Sequence, residues 1–135
     1  MIEFPISTGL LVSRLKAGLA ISANPVASNV GVFGSLPAES KRSARMVTFR
    51  DDSGPRDGVR ALRRYGVNVW AESSVSAEKL ANLAMSILAE SADADVPALT
   101  QFSGPSEVPD EKPLIVSGAS LSQFFFTFRA TVRAV

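Results

Sequence analysis

The chain has 135 residues, 46% of them hydrophobic and 20% charged, with a formal net charge of +1, no cysteine and no histidine. A chain of this length is the size of one soluble domain, and folding buries roughly two thirds of the surface exposed by the unfolded form, so no disulfide, metal or partner is required. The two missing residue types exclude thiolate nucleophiles, cysteine redox pairs, cysteine-based zinc sites and Ser-His-Asp hydrolysis.

An enzyme would have to work with carboxylate, lysine, serine or tyrosine groups, and the sequence shows no convergent cluster of them. Neither enzymatic activity nor a cofactor is expected. The mean hydropathy of +0.18 is high for a soluble protein. Even so, no uncharged apolar run reaches the roughly 18 residues that a membrane span needs. Gly9 to Ala23 ends in small residues like a signal-peptidase site, but Glu3 stands where a basic region belongs, and Arg14 and Lys16 interrupt the apolar stretch. Neither export nor a membrane partner is expected.

Along the chain, Ser7 to Ala20 reads as a first helix, with Ser7 or Thr8 as N-cap, a stripe of Leu11, Val12, Leu15 and Leu19, and an end at Asn24-Pro25. Asn29 to Phe33 is β-rich, Gly34 to Pro37 breaks it, and Ala38 to Ala44 reads as loop. Met46 to Arg50 is a strand, with Met46, Thr48 and Arg50 on one face and Val47 and Phe49 on the other. Asp51 to Gly58 concentrates two glycines, a proline and three aspartates and reads as an exposed turn. Arg64 to Ala71 alternates as a second strand, so the pair suits an antiparallel hairpin with a long tip.

Ser76 to Ser91 is the clearest helix: Leu80, Leu83, Ala84, Ile87 and Leu88 line one face, and Ser76 is the expected N-cap. Ala98 to Ser106 is a candidate strand, and Pro105, Pro109 and Pro113 mark a stiff connection beyond it. Gln123 to Val135 alternates Phe124, Phe126, Phe128, Ala130 and Val132 against Phe125, Thr127, Arg129, Thr131 and Arg133. The expected architecture is α+β: a largely antiparallel sheet with two helices packed on one face and one long hairpin loop.

Charge is segregated. Glu39 to Arg64 holds eight Lys/Arg against four Asp/Glu, and Glu72 to Lys112 holds two against eight, giving blocks of +4 and −6. Such blocks commonly form two solvated faces. They also permit a head-to-tail contact in which the basic block of one subunit meets the acidic block of the next.

The order of motifs carries a resemblance. A first helix is followed by Val30-Gly31-Val32 and Leu36-Pro37, then a strand entering Arg50-Asp51-Asp52-Ser53-Gly54-Pro55, then Val67-Asn68-Val69-Trp70-Ala71-Glu72, the Ala77 to Leu88 helix and the Thr127 to Arg133 strand. Over nearly its whole length the chain resembles the tail terminator proteins of long, non-contractile-tailed bacteriophages, in their actinobacteriophage form. The resemblance implies a structural virion protein at the tail-neck junction, assembled in the host cytoplasm. In that role it forms a homohexameric ring that caps the tail tube, ends its growth and receives a head-completion or neck protein, while DNA passes through without specific recognition. A neighbouring neck or tail-tube component, such as a head-tail connector, is the alternative, and a small nucleic-acid-binding module a more distant one.

The candidate contact loop is Arg50, Asp51, Asp52, Ser53, Gly54, Pro55, Arg56 and Asp57, since a long polar tip projects from its sheet and the resemblance turns it toward tube or channel. Candidate subunit contacts are Arg63, Arg64, Trp70, Asp93, Asp95, Phe125, Arg129 and Arg133. Arg129 and Arg133 suit either a solvated strand face or a subunit contact. Phe125 on that arginine-bearing side implies that the face is partly covered. Trp70 fits an interface anchor and a core residue equally. The acidic pairs Asp93/Asp95 and Asp110/Glu111 lack the spacing of a calcium loop and read as surface acids.

Overall fold

The computed structural model describes residues 8–51, 60–90, 99–109 and 113–133. Helix α1 runs over Thr8–Ile21, and its Leu11, Leu15 and Leu19, one turn apart, are all buried. It stops ahead of Asn24, whose Oδ1 accepts the Val26 N–H at 3.1 Å and caps a short 3-10 turn at Pro25–Ala27. Strand β1 (Val30–Phe33) follows, then a second 3-10 turn (Glu39–Lys41) and strand β2 (Arg45–Asp51). Strand β3 (Arg60–Ala71), helix α2 (Ser74–Glu90) and strand β4 (Thr100–Val108) come next. The chain then forms a small hairpin of β5 (Ile115–Val116) and β6 (Ala119–Ser120) before the long strand β7 (Ser122–Arg133).

Five strands form one sheet in the order β1-β2-β3-β7-β4. The β1–β2 contact is parallel and the other three are antiparallel, so the α+β architecture read from periodicity holds with one parallel edge. The spine is the β3–β7 ladder, paired without a break from Arg60↔Arg133 to Ala71↔Ser122. This corrects the expected start of the second hairpin strand, which is Arg60 and not Arg64.

Both helices cover the same face. Val47 and Phe49 of β2, Tyr65, Val67 and Val69 of β3, and Phe124, Phe126, Phe128 and Ala130 of β7 point toward them and are buried. Tyr65 stacks on Phe128 with ring centroids 5.3 Å apart, and Phe102 of β4 closes the layer 5.4 Å from Phe128. From above, α2 inserts Ala77, Leu80, Ala81, Ala84 and Leu88. Its three alanines let the helix lie close to the sheet. Gly18 does the same where α1 meets α2, since a Cβ there would overlap Ile87 Cγ2.

Two further details differ from expectation. Helix α2 is capped by Ser73, whose Oγ accepts the Ser76 N–H at 3.1 Å, so Ser76 lies in the first turn and is not the cap. The β5–β6 hairpin was not expected. Its turn places Ser117 at φ 52 and Gly118 at φ 80, both in the left-handed region that a tight two-residue hairpin requires.

Candidate functional site

The face of the sheet turned away from the helices has two unlike ends. At one end Met46, Trp70 and Leu121 are buried together, with half-buried Phe33, Leu114 and Val116 against them. The chain brings the β5–β6 hairpin back over its own sheet here, and the Leu121 N–H donates to the Leu114 carbonyl at 2.8 Å. Trp70, proposed from the sequence as an anchor or a core residue, belongs to this intramolecular cluster and is 7% exposed.

The other end is polar and basic. Strand alternation brings Arg50 of β2, Arg64, Gly66 and Asn68 of β3, and Phe125, Thr127 and Arg129 of β7 onto one face. Arg64 and Arg129 are directly opposite each other in the ladder. Like charges directly opposite each other in a ladder repel. With Tyr65, Thr127 and Phe128 they line a cleft of about 220 Å³. One row along, Gly66 sits between Arg50 and Thr127 and adds no side chain. Arg50 therefore reaches across β3 and holds its guanidinium carbon 5.5 Å from the centre of the Phe125 ring, a cation–π contact. The Gln123 amide donates to Asn68 Oδ1 at 2.8 Å and separates this end from the apolar one.

The structure thus brings together Arg50, Arg64, Phe125 and Arg129 from the sequence-derived candidates and sets Trp70 apart from them. Asp51 ends β2 and is exposed. Arg63 pairs with Ala130 in the ladder, and Arg133 pairs with Arg60. Asp52, Ser53, Gly54, Pro55, Arg56, Asp57, Asp93 and Asp95 lie outside the described residues.

A second polar constellation escaped sequence reasoning. Arg45, at the start of β2, donates from Nε to Glu72 Oε2 at 3.0 Å and from Nη2 to Oε1 at 2.6 Å, while Nη1 donates to the Pro25 carbonyl at 2.9 Å. One guanidinium thereby ties the 3-10 turn, β2 and the exit of β3 together. The Arg45 hydrogen bond, aided by backbone and Ser76 hydrogen bonds, holds the Glu72 carboxyl down at about 2, against a smaller opposing effect of burial. The same bond raises the Arg45 pKa. An open cleft of about 500 Å³ lies beside the pair, lined by Pro25, Ser28, Asn29, Ser43 and Ala44. With every donor directed at its own chain, this is a structural clamp, and no sequence signal joins two residues so far apart.

Among the described residues no three or more Asp, Glu, His or Cys side chains come together as a metal site. No described helix is long and apolar enough to cross a membrane. The fold is similar to that of a chain in the virion of a native gene transfer agent particle, with a TM-score of 0.53 and 18% identity, covering 91% of this chain and 94% of that one. At that identity the likeness is one of fold. No protein-family model matches the sequence, and no curated protein does.

Proposed function

We propose that this chain is a structural subunit of a virion, and within it the tail terminator: a homohexameric ring at the tail-neck junction that caps the tube, stops its growth and receives the neck or head-completion protein. The observation that carries this reading is the likeness of fold to a virion chain over 91% of the length. It agrees with the family resemblance in the order of motifs from Val30 to Arg133. On this reading the protein is not an enzyme, the ring assembles in the host cytoplasm, and genomic DNA passes through it without sequence-specific contact.

A neighbouring neck or tail-tube component is the second reading, because the similar chain belongs to a whole virion, in which several chains share a particle. Electron microscopy of lysates from a phage with this gene interrupted separates them. Overlong or variable tails beside filled, unjoined heads are expected for a terminator. Normal tails that fail to join heads would move the protein to the neck, and an intact, infectious particle would remove it from the virion.

A further inference from the structure

We propose that the free edge of β1 takes the segment Ile2 to Ile6 of a second copy of this chain as an added strand, so that neighbouring subunits are tied by an exchanged N-terminal arm. The proposal rests on the ring reading for its second copy and adds which surfaces meet.

The five-stranded sheet ends in two edges that differ. Strand β4 carries two register irregularities, Pro105, and Gln101 and Gly104 at φ 54 and 108, features that blunt an edge. Strand β1, Val30-Gly31-Val32-Phe33, pairs in unbroken register with β2 alone among the described residues and carries no charge and no proline. An edge of that kind leaves a row of backbone donors and acceptors outside any ladder, which is a template for another strand. Beside it, α1 leaves a groove of about 200 Å³ whose apolar lining is Leu19, Ala20, Ala27, Val30 and Val32. Strand addition uses both features, main-chain hydrogen bonds along the edge and a recess for alternate side chains.

The chain itself contains a segment of matching pattern. Ile2, Phe4 and Ile6 alternate with Glu3, Pro5 and Ser7, the period of a strand with one apolar face. Pro5 has no N–H and suits a strand paired on one side only, as an added edge strand is. Residues 1–7 lie outside the described residues, and Thr8 fixes where they join. Its Cγ2 is 3.5 Å from the place a Cβ on Gly34 would take, just past the end of β1. Seven extended residues reach about 23 Å, far enough to cross to a neighbouring subunit. To pair with its own β1 the arm would first have to descend from the helix layer to the sheet, about 10 Å, which uses about three residues. Too few would remain to match the four of β1, whereas on a neighbour's edge the whole segment can pair. The geometry therefore favours exchange between copies.

The test is photo-cross-linking of the full chain with Phe4 replaced by the photoreactive analogue p-benzoylphenylalanine, which keeps the aromatic ring. The modified chain is mixed with isotopically labelled wild type, and the joined peptides are identified by mass spectrometry. Cross-links should run from position 4 to Val30–Phe33 or to Leu19 and Ala20 of the labelled chain. Wild type should also self-associate in sedimentation velocity, and I2D/F4D, with folding confirmed by circular dichroism, should associate at least about tenfold more weakly. If I2D/F4D does not fold, the photo-cross-link still decides.

Cross-links confined to the modified chain's own β1 would overturn the proposal in favour of an own-chain strand. Cross-links elsewhere, none at all, a monomeric wild type, or association unmoved by I2D/F4D would overturn it outright. The two readings fail separately. Arm exchange with unaltered tails in the interrupted phage keeps this contact and removes the terminator function, and overlong tails without cross-links keep the terminator and remove the arm.

Discussion

Replacing Glu72 by Gln tests the clamp with a pH signature. The substitution leaves the side chain in place and removes the charge that Arg45 holds. The carboxyl falls from an ordinary 4.5 to about 2 in the folded chain. Taken whole, a shift of that size corresponds to about 3 kcal/mol. The Glu72 side chain is 44% exposed, so solvent screening reduces this to about 1 kcal/mol. Because the folded pKa lies below the unfolded one, the contribution is complete above pH 4.5 and is lost as pH falls toward 2. Urea unfolding at neutral pH should give an E72Q midpoint lower by the equivalent of about 1 kcal/mol with an unchanged slope. Thermal unfolding should fall by about 3–5 °C. Repeated down the pH scale, the gap between wild type and E72Q should close across that acidic window. A gap that persists undiminished at the acidic end would refute an electrostatic origin, and no gap at neutral pH would refute the clamp.

Two further substitutions probe the frame that holds the open face. Gly104→Ala places a Cβ 2.9 Å from the Phe125 carbonyl at a φ of 108, and should cost about 1–3 kcal/mol. Hydrogen exchange should show the loss concentrated in β4–β7 amides, and unchanged protection there would contradict the assigned close approach. Ser73→Ala removes the acceptor for the Ser76 N–H and should lower the unfolding free energy by about 1 kcal/mol. A neutral result would show that the Ser73 hydroxyl adds nothing as a cap.

The motif order resembles that of a tail terminator, and the likeness to the solved virion chain is one of fold. The interrupted-gene experiment tests the role proposed from them.

The sequence alone determined the elements whose periodicity is forced by a buried layer. In β7, Phe124, Phe126 and Phe128 face the helices and Phe125, Thr127 and Arg129 face away, as strict alternation requires. The stripe of α2 was legible for the same reason, at the helical period. Its first residue was not, because Ser73, Ser74 and Ser76 all have the chemistry of a cap and only local geometry chooses among them. Part of the candidate face was also legible: Arg50, Phe125 and Arg129 could each be assigned to a strand and a side. Tertiary structure alone decided that they share one surface with Arg64, because strand order and register depend on pairings between distant segments. It also decided that Trp70 is covered by the chain's own hairpin and that Arg45 holds Glu72. Periodicity reports whether a side chain is turned inward or outward. Which residue it meets there is settled only when the sheet closes around its core.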